Sequence, residues 1–119
     1  EANYDDEMQE RGNYPFYLKK RISGRMGHLS NKEALEVFIN HRTVFMSHLL
    51  LSHLSKNNNS PELVKEIFYP HAGNVKITIA SRDCETEVFQ IHPDHLLYNP
   101  SRLRQTPKTL PTQLSFGFV

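Results

Sequence analysis

Two histidines stand where this chain could do chemistry. His53 closes an apolar run, Val44-Phe45-Met46-Ser47-His48-Leu49-Leu50-Leu51-Ser52-His53-Leu54-Ser55, and a polar loop, Lys56-Asn57-Asn58-Asn59, follows at once. Ser60-Pro61-Glu62 then starts a helix. A histidine between the end of a buried strand and a helix-leading loop occupies a usual place for a metal ligand in α/β enzymes. Earlier in the chain, Gly27-His28-Leu29-Ser30-Asn31 carries a second histidine just ahead of another helix. A metal-assisted hydrolysis needs a site that activates water and an acid that protonates the leaving group. His53 suits the first task. His28 suits the second if it pairs with Glu1, since a carboxylate fixes an imidazole's tautomer and raises its basicity.

The remaining histidines read as structural. His41 and His71 fall at helix ends, where a cation favours the dipole. His48 precedes His53 by an odd number of residues, and odd spacing in a strand points two side chains to opposite faces. Gln90-Ile91-His92-Pro93-Asp94-His95 resembles an H-x-H-x-D-H metal motif with Gln in place of its first His. It borders a Pro-rich tail, and no Gly-rich loop or clear helix follows, so it reads as a turn.

The elements that must position these groups can be traced along the chain. Asp5 to Glu10 and Pro15 to Ile22 suggest two short helices in an otherwise polar, aromatic-rich and irregular stretch, 1–30. Ser30-Asn31-Lys32-Glu33 is a capping box. The helix it opens, Asn31 to about Asn40, carries Leu35, Phe38 and Ile39 on one face with Ala34 beside them. Thr43 to Leu51 reads as a strand buried on both faces. Ser60 caps a further helix with Pro61 at its first position, and Leu63, Val64, Ile67 and Phe68 face inward. Val75 to Ala80 and Thr86 to Ile91 alternate like two strands of a hairpin around Asp83-Cys84-Glu85. Pro100, Pro107 and Pro111 mark residues 99–119 as an extended or disordered tail behind a domain of residues 1–98. Helices on one face of such a three-stranded sheet leave the other face bare. It needs a missing half or a second copy of the chain.

Composition narrows the classes. The 119 residues make one domain or part of one. A net charge of +1 gives no global argument for nucleic acid. The local cluster Lys19-Lys20-Arg21 with Arg25 reads first as a solvated helix face. A lone cysteine, Cys84, excludes an internal disulfide and a cysteine-cluster zinc site, and fits a reducing compartment. No apolar run approaches the roughly 18 residues of a membrane helix. No signal-peptide pattern is visible, so the expected location is cytoplasmic, with no membrane partner. The opening Glu1-Ala2-Asn3-Tyr4-Asp5, without an initiator Met, reads like the middle of a longer protein.

Several of these motifs together carry a resemblance. Glu1-Ala2-Asn3-Tyr4-Asp5, Leu18-Lys19-Lys20-Arg21-Ile22, Gly27-His28-Leu29-Ser30-Asn31 and Ser52-His53-Leu54-Ser55, followed by Asn58-Asn59 and Pro61-Glu62-Leu63, resemble the C-terminal half of a metallo-β-lactamase-fold hydrolase. The branch is the YycJ or WalJ one, with ribonuclease Z more distant, and the likeness covers roughly residues 1–91. It implies an α/β fold, half of a four-layer αββα sandwich, with two divalent metal ions (zinc or manganese) at one edge. His53 matches the last metal-ligand histidine. His28 matches the histidine that assists the scissile phosphate or leaving group, and Glu1 the carboxylate held against it. Ser55, Asn58 and Asn59 fall in a loop that faces substrate or closes on itself.

The H-x-H-x-D-H loop that the resemblance calls for is missing, so the chain is expected to be a fragment. Alone, it should bind no metal tightly and be inactive. The parent is expected to be a phosphodiesterase or nuclease working through metal-bound hydroxide, with nucleic acid as substrate. A hydrolase of small esters, thioesters or lactams is the first alternative. A non-enzymatic module is the second, because Gln113-Leu114-Ser115-Phe116-Gly117-Phe118 faintly resembles peptides that dock on sliding clamps.

Overall fold

Helix starts follow from local chemistry. In the computed structural model, which describes residues 1–91, α1 spans Asp6–Arg11 and is capped by Asp5, whose carboxylate accepts from the Met8 N–H at 2.9 Å. Helix α2, Phe16–Ile22, begins directly after Pro15 and carries Lys19, Lys20 and Arg21 in its last turn, where cations suit the dipole. Helix α3, Asn31–His41, opens on the expected capping box. The Glu33 N–H donates to Ser30 Oγ at 3.2 Å, and the Ser30 N–H donates to Glu33 Oε2 at 2.8 Å. Helix α4, Pro61–Phe68, has Ser60 Oγ accepting from the Leu63 N–H at 3.2 Å. A 3-10 turn, Tyr69–His71, ends it, and Gly73 takes the left-handed conformation at φ 58° that turns the chain.

Two strands pair in parallel: β1, His48–Leu51, and β2, Lys76–Ile79, in register from His48–Lys76 to Leu51–Ile79. Helix α4 lies in the connection between them, as parallel pairing requires a long crossover. This corrects two expectations. The strand expected over Thr43–Leu51 is shorter, because Thr43 starts a turn. The Met46 N–H donates to the Thr43 carbonyl, and the Phe45 N–H to Thr43 Oγ1. A threonine hydroxyl that captures nearby backbone competes with a ladder. The hairpin of Val75–Ala80 with Thr86–Ile91 does not form. Strand β2 pairs with β1 instead, and no strand follows it among the described residues. Alternation over 86–91 satisfied the local pattern, but Val88 is 97% exposed there. Strand pairing is decided by distant partners rather than by local pattern. The three-stranded sheet with a bare face is thereby replaced by a two-stranded one among the described residues.

The core is Ala2, Phe38, Leu51, Val64, Phe68 and Val75, where α3 and α4 meet the sheet. The rings of Phe38 and Phe68 sit 6.4 Å apart. Ile39, expected to point inward, is exposed. It lies about 100° around α3 from Phe38, and that turn carries it off the buried face. The mixed α/β class agrees with the sequence reading.

The expected irregularity of residues 1–30 fails most clearly at their beginning. Residues 1–5 run extended through the middle of the molecule. On one side the Ala2 N–H donates to the Ser52 carbonyl and the Ser55 N–H to the Asn3 carbonyl. On the other, the Asn3 N–H donates to the Leu29 carbonyl and the Asn31 N–H to the Tyr4 carbonyl, with a parallel bridge from Tyr4 to Ser30. Ala2 and Tyr4 are buried by this arrangement. Backbone hydrogen bonds on both flanks, which no local pattern announces, give the segment its order.

Candidate active site

The pairing of the first segment dictates the site. Ala2 is bonded to Ser52 and Asn3 to Leu29, which draws the start of the chain between the segments that carry His53 and His28. Glu1 Oε1 lies 2.7 Å from His28 Nδ1 and 2.6 Å from His53 Nδ1. Glu1 Oε2 accepts from the Leu29 N–H at 3.2 Å. The two imidazole rings meet edge to face, with centroids 5.1 Å apart and planes at 73°. Sequence reasoning paired Glu1 with His28 and gave His53 a separate task. The structure adds that the same carboxylate oxygen also holds His53.

Electrostatics fixes the protons. Burial pushes the Glu1 pKa up, but hydrogen bonds from His28, the Leu29 backbone and His53, with the charge of His28, outweigh it and leave the pKa below the ordinary carboxylate value. Glu1 is therefore ionised at neutral pH and can only accept. Both Nδ1 atoms must then donate to it, and in the neutral rings both Nε2 atoms keep a lone pair. The Glu1 side chain is 23% exposed and that of His53 62%, so His53 turns most of its ring to solvent.

The backbone at His53 is also unusual. Its φ is 65°, and among non-glycine residues described it alone has a positive φ. Histidine tolerates the left-handed region better than most residues, at a cost of about 1–2 kcal/mol. The Asn3 side-chain amide holds this conformation by donating to the His53 carbonyl at 2.7 Å.

Glu1, His28 and His53 are also the group whose ligand atoms, among the described residues, converge closely enough to suggest a metal, all lying within 4.8 Å of one another. Two fits are conceivable. In the first, all three bind one ion directly. Bonds of about 2.0–2.1 Å to a tetrahedral zinc put neighbouring ligand atoms about 3.3 Å apart. The observed 2.6 and 2.7 Å are too short for that and are hydrogen-bond distances. In the second, Glu1 stands behind the rings and each Nε2 faces outward, as carboxylates stand behind metal-bound imidazoles. The structure fits the second. The trio then supplies at most two nitrogens, while zinc sites generally use three or four protein ligands.

The other expected site residues divide. Ser55 lines an open cleft of about 570 Å³ together with His28 and His53. Its N–H donates to the Asn3 carbonyl, and its Oγ accepts from the Asn58 N–H. Asn58 and Asn59 are buried. The Asn59 amide donates to the Ala2 and Asn3 carbonyls and to Asn31 Oδ1. Its oxygen accepts from Asn31 Nδ2 and the Ser60 N–H. The loop is thus closed on itself at Asn59, which spends its hydrogen-bonding capacity within the chain. His48 stands apart, 2.8 Å from Ser47 Oγ and stacked on Phe89. His92, Asp94 and His95, the tail and the clamp-like peptide lie outside the described residues.

Sequence reasoning missed Asn3 and Asn31. A polar residue between Ala2 and Tyr4 was the available signal, since Asn in a segment that packs must find partners for its amide.

Comparison with known proteins adds an independent line. The chain is 38% identical over 65 residues to the exodeoxyribonuclease YycJ of Bacillus anthracis, a match covering 55% of this chain and 25% of that protein. It is 43% identical over 63 residues to the exodeoxyribonuclease WalJ of Streptococcus pneumoniae serotype 2, covering 53% of this chain and 23% of the relative. The same figures hold for WalJ of Streptococcus pneumoniae strain R6. The chain thus spans about a quarter of the length of the curated relatives it matches. No family model matches, and no solved structure matches. Among the described residues no helix is long and apolar enough to cross a membrane. Over about half of its length, the chain is similar to the YycJ/WalJ exodeoxyribonucleases.

Proposed function

We propose that this chain is the C-terminal part of a metal-dependent nuclease of the metallo-β-lactamase fold, acting on DNA. The observation that carries the reading is the single Glu1 oxygen accepting from both His28 and His53. One carboxylate gives two imidazoles the same tautomer and presents two Nε2 atoms side by side for two different tasks.

In this reading His53 Nε2 is the metal ligand. A divalent ion there, zinc or manganese, supplies Lewis-acid polarisation of the phosphoryl group and lowers the pKa of water. His28 works beside it on the leaving oxygen. In its imidazolium form, Nδ1–H stays on Glu1 and Nε2–H is given up to the departing alkoxide. Glu1 stabilises the cation while it lasts and keeps the ring aimed. The names of the relatives support nucleic acid as the substrate. Ser55 sits in the cleft next to the two rings, within reach of a bound strand.

The test is a pair of substitutions in the complete protein. His53→Ala should lower metal content by mass spectrometry and abolish turnover of DNA. His28→Ala should keep the metal and slow turnover by about 10²–10⁴-fold, the usual worth of a positioned acid. An unchanged metal content in the first variant removes the ligand role. An unchanged rate in the second removes the acid.

A further inference from the structure

The cleft beside His28 and His53 has a charge pattern that the trio does not explain. Its lining includes Arg21, Lys56 and Arg82, and no aspartate or glutamate. In a chain with 14 Lys and Arg against 13 Asp and Glu, that is a local excess. Neither Arg21 nor Lys56 forms an ion pair among the described residues. Arg82 donates to the Leu54 carbonyl at 2.9 Å, which ties its guanidinium to the loop that carries His53.

Part of the remaining lining is apolar: Leu18 and Ile22, one helical turn apart on α2, form a wall, and the exposed Met26 stands beside it. This wall is fixed relative to His28. The His28 N–H donates to the Ile22 carbonyl at 2.8 Å, and a Cβ on Gly27 would lie 2.1 Å from that same oxygen. Glycine at 27 is what lets the segment leading to His28 lie against the end of α2. At another part of the lining, the Asn57 amide donates to the Tyr14 hydroxyl at 2.9 Å and joins the two banks.

We infer that this cleft is a nucleotide subsite: Arg21, Lys56 and Arg82 receive a backbone phosphate of a single DNA strand, and Leu18, Ile22 and Met26 receive the adjoining base. The inference rests on the nuclease reading and names where the strand lies. A volume of about 570 Å³ is within the roughly 300–1,000 Å³ range of small-molecule pockets, which suits one nucleotide unit rather than a duplex. Apolar and aromatic surfaces hold bases without sequence preference, and cations hold phosphates.

The experiment measures binding of a fluorescein-labelled single-stranded oligodeoxynucleotide to the complete protein by anisotropy across a salt series, with EDTA present so that no strand is cut. Each phosphate contact contributes about 0.7 to the salt slope on single strands. Arg21→Gln and Lys56→Gln should each lower the slope by part of that amount, and the double variant by about all of it. The affinity lost across a tenfold rise in salt then shrinks about fivefold in the double variant. Arg21→Lys should keep the slope, and Lys32→Gln and Lys65→Gln, outside the cleft, should leave it unchanged. Leu18→Ala should weaken binding with the slope intact. If Arg21→Gln and Lys56→Gln, both folded by thermal melting, retain the wild-type slope, the subsite is wrong even where hydrolysis with metal is normal. If the slopes fall as stated but no strand is hydrolysed with any metal, the subsite stands and the nuclease reading falls.

Discussion

Two clusters are built from the same three segments, and they have opposite characters. Residues 1–5, 28–31 and 53–59 each contribute one member to the trio Glu1, His28 and His53. Each also contributes one to the amide group Asn3, Asn31 and Asn59. The trio is partly exposed, and its Nε2 atoms are left over. The Asn31 and Asn59 side chains are buried and saturate each other and the backbone. The same backbone pairing places both, so reactivity is set beside a scaffold that cannot drift. The difference teaches which substitutions should read out in stability and which in chemistry.

The largest effect should come from the amide group. Asn59→Ala strands the Ala2 carbonyl and the Asn31 amide in the interior, while the Asn3 carbonyl keeps the Ser55 N–H. Unsatisfied buried groups cost about 1–3 kcal/mol each, so a loss of about 3 kcal/mol is expected in urea unfolding. A loss under about 1 kcal/mol would mean that the segments are held by something else. Glu1→Gln comes next and should act in the other register. Loss of a carboxylate behind metal-binding rings typically costs about 10–100-fold in metal affinity or activity. Turnover should fall by that order while the urea midpoint at neutral pH moves little. A stability loss equal to that of Asn59→Ala would erase the distinction between the clusters.

A smaller effect isolates the strained backbone at His53. His53→Gly and His53→Ala both delete the ring, but only alanine keeps the cost of φ 65°. The glycine variant should be more stable than the alanine variant by about 1 kcal/mol. Equal stabilities would show that the left-handed conformation is lost with the ring.

The smallest effects concern pH. The folded state lowers the Glu1 pKa, so Glu1 adds stability above the ordinary carboxylate value, and that stability is lost as pH falls through the lowered one. Glu1→Gln should flatten this part of the acid limb. Asp6 has the opposite sign. Burial and the charges of Asp5 and Glu33 raise its pKa, so its ionised form costs stability at neutral pH. Asp6→Asn should therefore raise the urea midpoint at neutral pH and have no such benefit in acid. A lowered urea midpoint for Asp6→Asn at neutral pH, or an unchanged acid limb for Glu1→Gln, would contradict the account.

What the sequence made legible follows the range of the forces involved. Ser30 and Ser60 announced their helices because a cap acts within one turn. His28 and His53 stood out because each is followed at once by a cap or a helix-leading loop. The meeting of Glu1 with His53 was hidden, since it depends on Ala2 finding Ser52 across fifty residues. The parallel pairing of β1 with β2 was hidden for the same reason. The alternation at 86–91 suggested a nearer partner for β2, and nothing local contradicted it. Asn59 was read toward substrate or loop closure, and only its partners decide which.

The central claim is that one ionised carboxylate sets the tautomer of both histidines. Ring nitrogen shifts of His28 and His53 in the complete protein, labelled with 15N-histidine and assigned by substitution, test it directly. The account predicts that both neutral rings carry their proton on Nδ1 and a bare lone pair on Nε2, and that Glu1→Gln removes this shared preference. A proton on Nε2 of either neutral ring in the unaltered protein would contradict it.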